Sequence, residues 1–244
     1  LCNGVGACRK LTGTMCPSYM VTRDERHSTR GRANALRSVL SGVLPASELT
    51  GKRLHDTLDL CLECKGCKSE CPSNVDMAKL KYEFLSRYNK VHGIPLRSRL
   101  FAHIALINRW SGYLGPLANI GLNNSLVRWF LHLFLGIHKS RKLPNLASQN
   151  FPEWFRKRKY AEKANERKVV LFHDTFMDYN HPEVGKAAVE LLEATGYQII
   201  LADNVCCGRP MISKGMLEKA QHYARINVDR LYSYAQAGLI IVGC

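Results

Sequence analysis

The segment that decides the fold is Cys61-Leu-Glu-Cys64-Lys-Gly-Cys67-Lys-Ser-Glu-Cys71-Pro72, which has the spacing C-x2-C-x2-C-x3-C-P. Three closely spaced thiolates can bind three corners of an iron–sulfur cube, and the fourth cysteine, before proline, ligates the other cluster. The alternative is structural zinc, whose ligands usually come as two pairs separated by a long gap. The spacing favours iron–sulfur over zinc.

The same rule requires a partner motif with its own Cys-Pro pair, and Cys16-Pro17 provides one. Exchange of ligands between the two motifs predicts one [4Fe–4S] cluster. Its predicted ligands are Cys16, Cys61, Cys64 and Cys67.

The upstream half-motif is incomplete, because Cys2-Asn-Gly-Val5-Gly-Ala-Cys8 has valine in its middle position. Cys2, Cys8 and Cys71 remain for a second site. Three thiolates suit a [3Fe–4S] cluster, or a [4Fe–4S] cluster with one non-cysteine ligand. The alternative is that this site is empty and that Cys2 and Cys8 are spare thiols.

Helical patterns surround both motifs. The capping-box spacing of Thr22-Arg-Asp-Glu25 predicts a helix from there to about Ser41. A short helix is expected before Cys61, and a further helix, capped by Ser73 or Asn74, is expected to end near Gly93. Residues 1–92 therefore resemble an α-helical ferredoxin-like domain.

Residues 93–167 form a predicted helical connector. An apolar stripe with helical spacing lies in this connector, and the basic residues Lys139, Arg141 and Lys142 follow it. Its members are Leu126, Trp129, Phe130, Leu133, Phe134 and Ile137. Two interpretations fit this stripe: packing within the protein, or a helix on a membrane surface.

The C-terminal part changes to an α/β pattern, with strands expected near residues 169–172, 199–201 and 239–242. Alternating strands and helices imply a parallel sheet, whose binding sites lie beyond the carboxyl ends of the strands. Asp174, the pair Cys206-Cys207, and Cys244 each follow one strand. We therefore expect a redox-active or weak metal site formed by these four residues. The predicted fold class is mainly α with a C-terminal α/β part.

The net charge of +15 lies entirely in the first two-thirds of the 244 residues, because residues 169–244 carry six basic and eight acidic side chains. Such a field favours nucleic acid, anionic lipid or an acidic protein. The basic connector lacks regular aromatic interleaving, so we expect no nucleic-acid partner. A content of 46% hydrophobic and 23% charged residues excludes a disordered or polytopic membrane protein.

Two groups of residues carry a family resemblance. Cys206-Cys207-Gly208-Arg209-Pro210 with Cys244 resembles the cysteine-rich CCG domain over residues 168–244, with Asp174 near the place of the family's first cysteine. The N-terminal motifs, including Thr14-Met-Cys16-Pro-Ser-Tyr-Met20 and Thr29-Arg-Gly-Arg-Ala33, are similar to the C-terminal half of FAD-binding and iron–sulfur-binding fusion proteins. Those proteins resemble D-2-hydroxyglutarate and D-lactate dehydrogenases.

This resemblance implies the iron–sulfur electron-transfer part of a flavin-linked 2-hydroxy acid dehydrogenase. FAD would be bound by a preceding flavin domain, in the same chain or in a partner subunit. The acceptor would be a quinone or a carrier protein, and the location cytoplasmic, with peripheral association at the inner face of the membrane left open. Because the chain begins with Leu1 and ends at Cys244, we expect a fragment cut at both ends.

Two alternatives remain. One is a stand-alone iron–sulfur subunit of a glycerol-3-phosphate or glycolate dehydrogenase, or of a heterodisulfide-reductase-like complex. The other is a zinc-stabilised interaction module without redox chemistry.

Overall fold

The computed structural model describes residues 2–112, 115–158 and 167–244. Two compact units divide the described chain: residues up to Pro95 together with Ile212–Leu217, and Leu96–Met211 together with Glu218–Cys244. The confirmed fold class is mainly α with a C-terminal α/β part.

The first unit contains helices separated by irregular cysteine-bearing segments. The α-helices are α1 (Pro17–Thr22), α2 (Thr29–Leu40), α3 (Lys52–Asp59), α4 (Gly66–Glu70) and α5 (Met77–His92), and 3-10 turns lie at Ala7–Arg9, Glu25–His27 and Ala46–Thr50. Leu58, Met15 and Met77 are almost completely buried in its core, which also contains Cys2, Cys8, Cys16 and Cys67. The thiols therefore lie inside the hydrophobic core of this unit.

Two predicted helix starts were wrong. The helix expected from Thr22 begins at Thr29, because Ser28 caps it by accepting a hydrogen bond from the Gly31 N–H (2.9 Å). The helix expected after Ser73 or Asn74 begins at Met77, where the Asp76 carboxylate accepts from the Lys79 N–H (2.9 Å). In both cases the residue that caps the helix lies further along the chain than the sequence pattern predicted.

The second unit begins with short helices and continues into the sheet. Its elements are α6 (Leu96–Ala102), α7 (Ile104–Gly112), α8 (Pro116–Asn123), α9 (Ser125–Leu135), α10 (Phe151–Lys157), β1 (Arg167–Phe172), α11 (Thr175–Tyr179), α12 (Pro182–Ala194), β2 (Tyr197–Leu201), α13 (Arg209–Ile212), α14 (Leu217–Gln236) and β3 (Ile240–Gly243). No helix in the described ranges is long and apolar enough to span a membrane.

The sheet has the order β2-β1-β3, and both strand pairs are parallel, as the alternating pattern predicted. Phe151 is fully buried and packs with Val169, Leu171 and Val189. Gly185 allows this packing, since a Cβ atom there would lie 2.6 Å from the Phe151 ring. Helices α10 and α12 therefore pack against the sheet, and this sheet positions the C-terminal cysteines.

Candidate functional site

One cavity of the first unit is lined by all four cysteines that the ligand-exchange rule groups together. Cys16, Cys61, Cys64 and Cys67 line it, together with Thr29, Arg32, Glu63 and Met77. Cys16 precedes α1, whereas the other three lie in the loop between α3 and α4 and at the start of α4. The fold thus brings residues 45 or more positions apart in the sequence to one cavity. Their role as ligands stays a prediction.

The loop that presents Cys61, Cys64 and Cys67 has an unusual backbone. Glu63 and Lys65, which flank Cys64, have positive φ angles of 55° and 60°, in the left-handed region that non-glycine residues rarely adopt. Strained backbone of this kind persists only where the surrounding structure holds it.

Lys81 of α5 provides that support. This buried side chain donates through Nζ to the carbonyl oxygens of Cys61 (2.7 Å) and Asp59 (3.0 Å), and Nζ lies 3.5 Å from the Glu63 carboxylate. Burial raises the pKa of Glu63, and the nearby Lys81 ammonium opposes that rise. One buried cation therefore links the first part of the loop, up to Glu63, to α5.

Arg32 of α2 is a second buried cation on the cavity wall. Its side chain is 1% exposed, and its guanidinium donates to the Thr57 carbonyl oxygen (3.1 Å) and to the Ser18 hydroxyl (3.0 Å). Both of these acceptors are neutral groups. The positive charge of Arg32 on the cavity wall is therefore not balanced by a carboxylate among these two partners. A cation in this position favours anionic groups inside the cavity.

Cys16 also contacts the upstream cysteine group. The thiols of Cys8 and Cys16 interact, and this interaction lowers the pKa of Cys8 to about 6 and raises that of Cys16. The Cys2 and Cys8 thiols also lie close enough to the Arg30 guanidinium to contribute to its raised pKa. Cys16 is therefore the residue at which the two cysteine groups meet.

The remaining members of the second predicted site are less closely grouped. Cys71 is half-buried and packs against the same hydrophobic cluster that contains Cys2 and Cys8. Val5 is 62% exposed, so the valine in the incomplete motif lies mainly in solvent. Occupancy of this second site stays a prediction.

Backbone N–H groups donate hydrogen bonds to several of these sulfurs, as they do to the cysteine ligands of iron–sulfur clusters. Donors lie within hydrogen-bond distance of the sulfur in four cases: Gly4 to Cys2 (3.4 Å), Arg30 to Cys8 (3.3 Å), Thr29 to Cys16 (3.0 Å) and Met77 to Cys67 (3.4 Å). Such hydrogen bonds stabilise thiolate charge and tune the reduction potential of a cluster. The residues present therefore fit iron–sulfur ligation.

The C-terminal candidate site lies at the expected edge of the sheet. Phe172 pairs with Gly243, so Cys244 and Asp174 both follow the carboxyl ends of neighbouring strands. Cys206 is buried, whereas Cys207 and Cys244 are exposed. Hydrogen bonds from Cys207, from Thr175 and from the Gly208 N–H lower the pKa of Cys206 to about 6, despite its burial. At this edge, interactions with neighbouring groups therefore lower the pKa of one buried thiol.

Asp174 has a structural role that its sequence position did not reveal. Its carboxylate accepts a hydrogen bond from the Met177 N–H (2.7 Å) and so caps α11. Among the described residues, no three His, Cys, Asp or Glu side chains converge to hold a single metal ion. The metal role of Asp174, Cys206, Cys207 and Cys244 stays a prediction.

Comparison with known families assigns both cysteine-rich parts. Residues 1–76 match the profile of the 4Fe-4S dicluster domain, and residues 170–244 match that of the cysteine-rich domain. The chain therefore matches a 4Fe-4S dicluster domain in its first part and a cysteine-rich domain in its last part. The iron–sulfur chemistry predicted from the cysteine spacing is confirmed by the first match, and the electron-transfer role implied by the family resemblance fits both matches.

Curated relatives align with 66–99% of this chain. D-2-hydroxyglutarate dehydrogenase of Pseudomonas putida is 26% identical over 99% of this chain and 28% of its own length. One subunit of the anaerobic glycerol-3-phosphate dehydrogenase of Escherichia coli is 30% identical over 66% of this chain and 40% of its own. The glycolate oxidase iron-sulfur subunit of Escherichia coli is 25% identical over 95% of this chain and 52% of its own length. The chain thus spans about a quarter to a half of these relatives, and no solved structure matches it.

Sequence reasoning missed the buried cations of the dicluster domain and a buried pair of the cysteine-rich domain. His173 Nδ1 lies 2.8 Å from both carboxylate oxygens of Asp178, and Nε2 lies 3.0 Å from the Ala202 carbonyl oxygen. Burial disfavours the imidazolium, but these acceptors outweigh it and raise the pKa of His173. Since both nitrogens face acceptors, the charged form fits this position. The spacing of these polar residues carries no signal that they are buried, so the sequence could not identify them.

Proposed function

We propose that this chain is the electron-transfer part of a flavin-linked 2-hydroxy acid dehydrogenase. The observation that carries the proposal is the cavity of the dicluster domain lined by Cys16, Cys61, Cys64 and Cys67. The relatives that align over nearly the whole chain include D-2-hydroxyglutarate dehydrogenases, which supports a 2-hydroxy acid as the substrate of the complete protein.

The chain's own residues would hold and tune the clusters. Cys16, Cys61, Cys64 and Cys67 would hold a [4Fe–4S] cluster, and Cys2, Cys8 and Cys71 a second cluster. When bound, such clusters supply one-electron redox chemistry. Lys81 fixes the loop that carries three of the thiols, and Arg32 offsets part of their negative charge. Backbone N–H groups at Thr29 and Met77 stabilise the sulfurs of Cys16 and Cys67.

The partners follow from this role. A flavin domain carrying FAD, in a longer version of the same chain or in a separate subunit, would supply the electrons. A quinone or a carrier protein would accept them, and peripheral association with a membrane would bring the chain to a lipid-soluble acceptor.

The test is elemental and spectroscopic analysis of the intact protein, purified without air. We expect a brown protein with about four irons per chain for one [4Fe–4S] cluster and about seven or eight if the second site is filled. A [3Fe–4S] cluster would show a paramagnetic oxidised state. A colourless protein containing zinc would contradict the proposal, because zinc–thiolate sites have no redox chemistry.

A second candidate is the iron–sulfur subunit of a separate glycerol-3-phosphate or glycolate dehydrogenase complex. Two of the relatives are themselves named as subunits, which favours it. Purification of the native protein distinguishes the two. A flavin domain in the same polypeptide as this chain supports the fusion, whereas FAD on a separable polypeptide supports the second candidate.

A further inference from the structure

Helix α9 of the second unit has its apolar stripe facing solvent. The α9 apolar face consists of Leu126, Trp129, Phe130, Leu133 and Phe134, and each of these side chains is more than half exposed. Arg128, Leu131 and Leu135, on the other side of the helix, are less exposed. A surface helix of a globular protein normally turns its apolar stripe toward the core. The reversed arrangement indicates that something apolar covers this face.

The exposed surface continues onto the preceding helix. Leu117 and Ile120 of α8 are 70% and 67% exposed. Helix α8 packs against α9, and Asn124 joins the two by accepting hydrogen bonds from the Leu126 (2.8 Å) and Val127 N–H groups. The two helices therefore form one hairpin, and both helices carry exposed apolar side chains.

All charged side chains in the segment that contains this hairpin are positive. Residues 96–152 contain seven Lys and Arg residues and no Asp or Glu. All seven except Arg128 are exposed. Lys139, Arg141 and Lys142 follow the C-terminal end of α9, and the Arg97 guanidinium lies beside Gly136, which ends that helix. An exposed apolar face on a segment whose only charged side chains are cationic is complementary to anionic phospholipid.

We propose that the α9 apolar face docks onto an anionic phospholipid surface. An 11-residue helix is about 16 Å long, roughly half of the ~30 Å hydrocarbon core, so α9 would lie in the plane of the interface rather than cross it. Trp129 and the two phenylalanines enter the boundary between headgroups and acyl chains, and the basic residues after α9 contact lipid phosphates. This gives a specific surface to the membrane association in the proposed function.

Vesicle co-sedimentation of the full chain, purified with its cofactors, tests the inference. We expect binding to vesicles of phosphatidylcholine with phosphatidylglycerol to be at least about tenfold stronger than to phosphatidylcholine alone, and to weaken with salt. The double variant Phe130→Ser/Phe134→Ser should bind at least about tenfold more weakly. Both positions are exposed, so far-UV circular dichroism should show an unchanged fold.

A matched control is available on α12, where Val184 and Leu191 are 47% and 66% exposed. The double variant Val184→Ser/Leu191→Ser should bind vesicles as the unmodified chain does. Tryptophan fluorescence gives a second measure, since a blue shift on vesicle binding should be lost in Trp129→Phe and kept in Trp154→Phe.

Three outcomes would overturn the inference. The unmodified chain does not bind anionic vesicles, or the α12 control loses as much binding as the α9 variant. The third is that Phe130→Ser/Phe134→Ser changes the oligomeric state while the unmodified chain shows no vesicle binding. The last outcome would assign the face to a second copy of the chain. Vesicle binding is measured without electron transfer, so its failure is distinguishable from failure of the proposed redox role.

Discussion

Replacement of Lys81 by methionine tests whether a buried cation holds the cysteine loop in place. Methionine keeps the length and apolar stem of the side chain but removes the ammonium that donates to the carbonyl oxygens of Cys61 (2.7 Å) and Asp59 (3.0 Å). The Glu63 carboxylate, 3.5 Å away, would also lose its cation.

The magnitude follows from these contacts. A hydrogen bond from a charged donor contributes about 1.5–3 kcal/mol, and removal of one partner of a buried ion pair costs about 3–5 kcal/mol. The contributions share one ammonium and do not add, so we expect the loop to lose about 3–5 kcal/mol. A loss of about 3 kcal/mol corresponds to roughly a hundredfold change in the equilibrium between closed and open loop.

The assay is the rate at which visible absorbance bleaches when an iron chelator is added without air. Local opening exposes the cluster ligands, so Lys81→Met should bleach at least about a hundredfold faster than the unmodified protein. Lys79→Met, an exposed position on the same helix, is the matched control and should stay within about twofold. Lys81→Met/Glu63→Gln should recover part of the loss, since no unpaired carboxylate remains. Bleaching of Lys81→Met within about threefold of the unmodified rate would refute the reasoning.

The remaining predictions concern single groups. Cys16→Ser should lower the iron content by about four atoms per chain and remove the [4Fe–4S] spectrum; iron analysis showing no loss would exclude Cys16 as a ligand. Gly31→Ala should destabilise the protein by about 1–3 kcal/mol in urea unfolding, because its Cβ would lie 2.0 Å from a backbone oxygen of the preceding turn. Gly121→Ala, where the added Cβ meets open space, should instead be neutral or stabilising. The raised pKa of His173 means that its ion pair contributes stability below pH ~6.5 and loses it as pH rises through the higher folded-state value. Unfolding free energy should therefore fall more steeply, as pH rises above about 6.5, than it does in Asp178→Asn; equal slopes would contradict this assignment.

Local patterns in the sequence determined the chemical class and the order of elements. The C-x2-C-x2-C-x3-C-P spacing is a short-range property, because thiolates a few residues apart can reach one cluster whatever surrounds them. The parallel sheet followed similarly from three apolar runs separated by helical patterns. Helix starts were less predictable, because several residues near each start could serve as the N-cap. The structure uses Ser28 and Asp76 rather than the caps that the sequence pattern predicted.

Tertiary structure alone decided what surrounds the cysteines. Lys81 and Arg32 lie on helices whose sequences give no sign that these cations are buried, and only the packing of α2 and α5 brings them to the loop and cavity. The contact between Cys16 and Cys8 likewise depends on how the chain folds back between them. Burial and long-range contact are properties of the packed chain, because the desolvation and partners of a charge depend on residues distant in sequence.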